Sequence, residues 1–190
     1  MKSVAEKLDN YNYADYESWD DGKRYEILEG FLYNMSPAPA ISHQQVVIKL
    51  SSIFEVQLYG KKCTPFVSPV DVLLDYTDNS YSCETIVQPD VLVVCDKKKI
   101  NERGIFGAPD LAVEVVSPSS IDYDMNVKKQ IYQKYGIPEY WVVFPLEKTV
   151  VVYNLEDGEY KGTNYIKEGV IKSAAIKNLT ADLAKVFEGR

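Results

Sequence analysis

Two acids in this sequence stand among residues that normally fill a core. In DLAVEVVSP (110–118) Glu114 is surrounded by Leu, Ala and Val, and in VQPDVLVV (87–94) Asp90 sits inside a strand continued by Val91, Leu92, Val93 and Val94. Alternation puts Leu111, Val113 and Val115 on one face and Asp110, Ala112, Glu114 and Val116 on the other. Apolar side chains thus line both sides, as in a strand covered above and below. An ionised carboxylate there costs several kcal/mol unless something compensates it. Two such acids on adjacent strands also repel one another. A divalent cation removes that repulsion, and hard Mg²⁺ takes oxygen ligands while keeping several waters. Such an ion lowers the pKa of bound water and stabilises charge on a phosphate oxygen.

A positive charge is available on the helix expected over 122–135. At ~100° per residue, Asp124, Lys128, Ile131 and Tyr135 form one stripe facing the sheet, whereas Lys129 lies well off it and reads as solvated. An ammonium held near two carboxylates could orient a water or balance charge in a transition state. Each residue also has a plainer reading. Asp90 could be a turn acid after Pro89, Glu114 half of a buried ion pair with Lys128, and Lys128 a snorkelling surface lysine. The arrangement on two strands and the inner face of the next helix favours the chemical reading.

Other polar groups carry less. His43, the single histidine, opens a helix and reads first as packed or capping, with contact to a phosphate or a scissile water as the alternative. Asp71 in PVDVLL could face the same site or be a structural acid. The Lys97–Lys99 run reads as a solvated loop that could touch a nucleic-acid backbone. Tyr132 reads as packing.

These residues need a frame. A short helix is expected around 14–20, then a hairpin over 24–36 turning at Glu29–Gly30, and a proline loop over 36–40. The clearest helix is 42–58, with Ser42 and Gln45 in capping-box form. Its buried stripe is Val46, Val47, Leu50, Ile53, Phe54 and Leu58. Strands follow at 66–74, 88–95, 110–116 and 139–144, with a hairpin turning at Asp157–Gly158. A terminal helix has Thr180 as its candidate cap. This order marks one mixed α/β domain over 1–190, with helices against a central sheet.

Composition narrows the function classes. Of 190 residues, 46% are hydrophobic and 26% charged, as in an ordinary globular domain. No run reaches the roughly 20 apolar residues of a membrane helix. The N-terminal stretch shows no secretory signal, so a cytoplasmic address and no membrane partner are expected. Three cysteines, widely spaced and odd in number, read as reduced structural thiols. With one histidine and no paired cysteine spacing, a structural zinc site is not expected. The net charge of −7 opposes non-specific attraction to nucleic acid. A nuclease that gathers its carboxylates around metal and keeps a local basic rim would be compatible with it.

Taken together, YEILEGFLYNMSP, SHQQVV, VSPVDVLL, VQPDVLVV, APDLAVEVVSPSS and DMNVKKQIYQKYGIPEYWVV resemble the successive signatures of the Uma-two family. These are small bacterial restriction-endonuclease-like proteins of the PD-(D/E)XK nuclease superfamily. The resemblance runs from about Tyr25 to the terminal helix. It implies a restriction-endonuclease-like core in which Asp90 and Glu114 bind metal, with the Val115 carbonyl as a further ligand. The superfamily's usual lysine, two residues after the second acid, is replaced here by Val116. Lys128 on the next helix matches the position to which the family moves it. Glu26 matches an acidic position completing the site, and Gln88 precedes the Pro-Asp pair as in family members.

The implied activity is a Mg²⁺-dependent (or Mn²⁺-dependent) endodeoxyribonuclease with DNA as substrate. Its catalytic set would be Asp90, Glu114, Lys128 and Glu26. Cleavage of both strands would suit a homodimer, though no sequence feature demands one. A non-catalytic or regulatory nucleic-acid-binding module is the rival, and a metal-dependent enzyme acting on RNA or another phosphate ester is a third reading.

Overall fold

In the computed structural model, which describes residues 10–35 and 39–188, twelve strands form two six-stranded sheets. In spatial order the first contains β2 (Phe31–Asn34), β1 (Tyr25–Leu28), β5 (Ile86–Val87), β4 (Val72–Leu73), β8 (Gly104–Phe106) and β7 (Ile100–Asn101). The second contains β12 (Glu159–Ile166), β11 (Thr149–Glu156), β10 (Glu139–Phe144), β9 (Leu111–Val115), β6 (Val91–Val94) and β3 (Thr64–Val67). A ribbon of β13 (Val170–Lys172) and β14 (Thr180–Asp182) completes the strands. The helices are α1 (Tyr13–Ser18), α2 (Ile41–Leu58), α3 (Lys129–Lys134) and α4 (Leu183–Phe187), and a π-helical stretch, Tyr123–Lys128, leads directly into α3. This is the expected mixed α/β class.

β9 lies between β10, to which it is parallel, and β6, to which it is antiparallel, and all five of its residues are buried. Its period-2 alternation divides the core as expected. Leu111, Val113 and Val115 join α2 and α4 in one cluster with Val46, Leu50, Phe54 and Trp141. Ala112 and Val116 face the other way, towards Leu92, Tyr132, Ile137 and Tyr140. Glu114 shares the parity of this second face, below the helical segment 123–134. The same logic works on β1, where Ile27 packs with Tyr13, Leu73 and Ile86 while Leu28 points to the opposite cluster. Glu26 has the parity of Leu28.

The expected single strand over 66–74 is instead β3 and β4, which belong to different sheets. Its partner divides in the same way into β6 and β5. The ladder pairs Val67 with Val91 on one side and Val72 with Val87 on the other. Four residues, 68–71, therefore oppose three, 88–90, and this bulge turns the ribbon from one sheet into the next. Ser68–Pro69, a cis peptide, and the Gln88-Pro89-Asp90 segment occupy the corner, where the Ser68 amide donates to the Asp90 carbonyl at 3.0 Å. Asp90 thus precedes β6 rather than standing inside it, and its side chain is 22% exposed.

The 24–36 hairpin forms with Glu29 and Gly30 both at positive φ, as its two-residue turn requires. Residues 36–38 of the expected proline loop lie outside the described residues. α2 starts one residue early, capped at Ala40 with no side-chain bond, so Ser42 falls within the first turn and the expected capping box is absent. At the end of the chain Asp182, not Thr180, caps α4; Thr180 belongs to β14. The expectation of three reduced thiols is corrected for two of them. Cys63 and Cys95 form a disulfide across the β3–β6 ladder, one step beyond Thr64 paired with Val94, while Cys83 is free and buried. No helix among the described residues is long and apolar enough to cross a membrane.

Gly104 is fixed by its neighbours. Its φ of +152° lies where side chains are rarely tolerated, and a Cβ there would press into the Asp71 carbonyl, whose carbon would be 3.2 Å away. The next amide, of Ile105, donates to that same carbonyl at 2.8 Å, so it cannot retreat without losing a bond. Gly104→Ala is expected to destabilise the fold by roughly 1–3 kcal/mol. Urea unfolding should show a lower midpoint, and an unchanged midpoint would contradict the geometry.

Candidate active site

The parity of β1 and β9, the corner before β6 and the inner face of 123–134 converge on one cavity of about 380 Å³. Glu26, Asp90, Glu114, Val115 and Lys128 all line it, together with Arg24, His43, Gln88, Tyr123 and Asp124. Asp90 and Glu114 meet because β6 and β9 are paired. Val91 stands opposite Val113, so the next step places Asp90 opposite Glu114. The amide of Val115 donates to Asp90 Oδ2 at 2.8 Å, and His43 Nε2 bonds the same oxygen at 3.1 Å.

Lys128 is the centre of the charge pattern. Its ammonium, 3% exposed as a residue, lies 2.8 Å from Glu114 Oε1 and 2.9 Å from Glu26 Oε1. It also faces the Tyr123 ring, at 5.5 Å from the centroid. The two glutamates are held from other sides. Tyr132 Oη donates to Glu114 Oε1 at 2.7 Å, Tyr123 Oη to Glu26 Oε2 at 3.0 Å, and the Gln88 amide to Glu26 Oε1 at 2.7 Å. Burial and the neighbouring glutamates hold both phenols above their ordinary pKa, so they act as donors.

The cavity contains more negative than positive charge. Burial alone would pull the Lys128 ammonium down, but Glu114, Glu26 and Asp124 outweigh it and hold it above the usual lysine range. Lys128 therefore stays charged at neutral pH and is no proton acceptor. Burial drives Glu114 well above the usual carboxylate range; Lys128 opposes this, and the charges of Asp90, Asp124 and Glu26 reinforce it. Burial likewise raises Asp124 to about 6, against Lys128 and a hydrogen bond from Ser120 and with help from Glu26 and Asp90. Four carboxylates around one ammonium form an oxygen-rich donor set short of positive charge. The bonds to Asp90 from Val115 and His43 both fall on Oδ2, and those to Glu114 from Lys128 and Tyr132 both fall on Oε1. Oδ1 of Asp90 and Oε2 of Glu114 carry none of these bonds. The set suits a hard divalent cation, which needs only one or two carboxylates alongside water. No preformed group of three or more acidic, histidine or cysteine ligands occurs among the described residues.

The model of the Uma-two family, described as "Putative restriction endonuclease", matches residues 13–184. The chain belongs to the Uma-two family. A relative, an uncharacterised protein of Synechocystis sp., is 28% identical over 155 residues, covering 80% of this chain and 78% of that one. The fold of this Uma-two protein is shared with a crystal structure from Anabaena variabilis described as a "putative nuclease". The TM-score is 0.71 at 17% identity, over 90% of this chain and 94% of the other. At that identity the likeness is one of fold.

Other candidates sort differently. Asp71 lies away from these acids, accepting from Gln88 Nε2 at 2.7 Å and Tyr16 Oη at 3.1 Å beside a second cavity. Lys129 is half-buried rather than solvated, its ammonium 4.7 Å from the Tyr153 ring centroid. Lys97–Lys99 form a single 3-10 turn, and Lys99 donates to the Ala108 carbonyl. His43 is packed at the helix start but also engages Asp90. Tyr132, expected as packing, is bonded to Glu114. Sequence reasoning passed over Asp124 as a site residue although it lay on the Lys128 stripe, and nothing local marked Tyr123.

A raised carboxylate pKa has a definite consequence for stability. The folded protein binds the Asp124 proton more tightly than the unfolded chain does, so this contribution is full below the unfolded value of 3.8 and lost as pH rises through about 6. The rise from 3.8 to about 6 corresponds to roughly 3 kcal/mol. In metal-free protein, Asp124→Asn should gain stability relative to the parent as pH is taken from 4 to 7. Melting temperatures of the two across that range test this, and a constant difference would contradict it.

Proposed function

We propose that this chain is a Mg²⁺-dependent (or Mn²⁺-dependent) endodeoxyribonuclease, with Asp90, Glu114, Lys128 and Glu26 as its catalytic set. The reading is carried by one observation. A protonated lysine is buried between two glutamates in a cavity that also presents Asp90 and Asp124, in a chain of a family described as "Putative restriction endonuclease". Asp90 and Glu114, with the Val115 carbonyl, would hold the metal. Bound there, it would supply Lewis acidity and a water of lowered pKa.

The protein's own groups divide the remaining work. Lys128 stays protonated, so it orients a water or a phosphate oxygen and balances charge developing on the phosphate, and does not abstract a proton. Glu26 acts through Lys128, fixing the ammonium while Tyr123 and the Gln88 amide fix Glu26. Tyr132 holds Glu114, and His43 holds Asp90 at the same oxygen that accepts from the Val115 amide. Cleaving both strands of a duplex would take two copies of such a site, consistent with a homodimer. The rival, a nucleic-acid-binding module without hydrolysis, draws on the acidic chain and on Val116 standing where the superfamily's usual lysine would be.

Incubating the protein with plasmid, single-stranded DNA and RNA under Mg²⁺, Mn²⁺ and chelator separates these readings. Cleavage of DNA is expected with either metal and none with chelator. Glu114→Gln, which keeps the shape and removes the charge, should abolish cleavage while the protein stays folded. Undiminished cleavage by that variant rejects the assignment; binding without cleavage by the parent favours the rival.

The lysines separate further. Lys128→Met should lower single-turnover cleavage by about 10²-fold or more, the scale of one preorganised donor. Its melting temperature should also fall, because two buried glutamates lose their cation. Lys129→Met, which removes only a partner of the Tyr153 ring, should leave turnover nearly unchanged. Equal losses in the two would sink the role given to Lys128.

A further inference from the structure

An acidic chain with four carboxylates in its cavity must still attract a polyanion if it acts on nucleic acid. Of the lysines and arginines among the described residues, only Lys128 and Arg24 line that cavity. Lys128 is buried and held by two glutamates, so its charge is matched within the protein. Arg24 is different. It is exposed, immediately before β1, and none of the ion pairs among the described residues involves it.

The guanidinium is nevertheless held in place. Its Nε donates to Gln88 Oε1 at 3.0 Å, and its Nη2 donates to that same oxygen and to Ser68 Oγ, the latter at 2.7 Å. All of these acceptors are neutral, and none of the bonds falls on Nη1. Ser68 and Gln88 are the two arms of the corner where the β-ribbon passes between sheets, and Asp90 is two residues beyond Gln88. A fixed guanidinium in no direct ion pair, with Nη1 bearing none of these bonds and a serine hydroxyl beside it, fits a phosphate with its fork geometry, although Asp71 feels its charge from the second cavity. Arg24 and Gln88 also line the second cavity, of about 490 Å³, on the other side of the corner. The guanidinium therefore borders both cavities.

We infer that Arg24, with Ser68 Oγ, is the phosphate-binding pair of this protein, contacting a backbone phosphodiester of the nucleic-acid strand between the two cavities. The identity of that ligand rests on the nuclease reading above. The pair positions the strand and reads no base.

The test measures binding of labelled single- and double-stranded DNA oligonucleotides by fluorescence anisotropy, with Mg²⁺ present and NaCl stepped from about 50 to 200 mM. Glu114→Gln protein is used so that the DNA stays intact. In that background Arg24→Gln should weaken binding about tenfold and reduce the slope of log K against log salt by about 0.7–0.9, one phosphate contact. Arg24→Lys should keep the slope and lose part of the affinity, because charge survives and the fork does not. Ser68→Ala should weaken binding without changing the slope. Lys161→Gln, on the far edge strand β12, should change neither. Circular dichroism melts confirm that each variant is folded, and Arg24→Lys and Ser68→Ala preserve the test should Arg24→Gln not fold. If the parent binds DNA and Arg24→Gln binds with the same affinity and slope, the assignment to Arg24 is overturned while the nuclease reading stands. An equal loss from Lys161→Gln overturns it too, since diffuse surface charge would then suffice. If no form binds or cleaves any nucleic acid, both readings are overturned together.

Discussion

Lys128 reaches Glu26 on one sheet and Glu114 on the other from the helical segment packed between them, so a single buried ammonium ties three parts of the fold. Desolvating these groups costs several kcal/mol per ion, and the mutual attraction repays it only when the remaining hydrogen-bonding positions are filled. Here Tyr132, Tyr123 and the Gln88 amide, each delivered by a different element, fill part of them, and Oε2 of Glu114 is left with none of these bonds. The π-helical turn 123–128 presents Tyr123, Asp124 and Lys128 towards the same cavity before α3 resumes ordinary winding. Without the ammonium, two glutamates would be buried with no cation, and burial and their mutual repulsion would drive them to take up protons.

Another buried acid shows what a purely structural carboxylate looks like in the same protein. Glu139, at the start of β10, is fully buried and accepts from Trp141 Nε1 at 2.6 Å, Ser173 Oγ at 2.6 Å and the Ala175 amide at 2.9 Å. Its donors are neutral, distributed over both oxygens, and far from any lining of the cavity. Glu114, by contrast, shares a wall with three other acids and receives both its bonds on one oxygen. Burial alone does not separate the two. The surplus of like charge does, because a fold gains nothing structural from gathering acids that repel one another.

Much of this was legible in local pattern. Period-2 alternation gave the faces of β9, and helical spacing put Lys128 inward and left Lys129 off the stripe, because side-chain direction follows from periodicity alone. The family resemblance supplied Glu26, which no local signal would have joined to Glu114. What stayed hidden depends on register between distant segments. The Cys63–Cys95 bridge requires the β3–β6 alignment, and the division of 66–74 into two strands depends on a bulge visible only when both arms of the ribbon are aligned. Tyr132 read as packing because a phenol on an apolar face is the same in sequence whether or not its hydroxyl finds an acid. The capping boundaries failed for a smaller reason: a start displaced by one residue converts a cap into a first-turn serine.

That the buried lysine stands on the helix and not at position 116 has a structural rationale. Val116 shares the face of Glu114 and is buried in the apolar cluster with Tyr132, Ile137 and Tyr140. An ammonium there would have to be solvated by the very residues that now pack the underside of the helix. Carrying the charge on the helix lets Val116 remain apolar and brings Lys128 down onto Glu114 from above the sheet, where it can reach Glu26 on the neighbouring sheet as well. A lysine on β9 would extend from the same strand as Glu114, and Glu26 would need another partner. Lys128 thus couples the charge balance of the cavity to the docking of helix 123–134, so whatever loosens that helix also unbalances the acids beneath it.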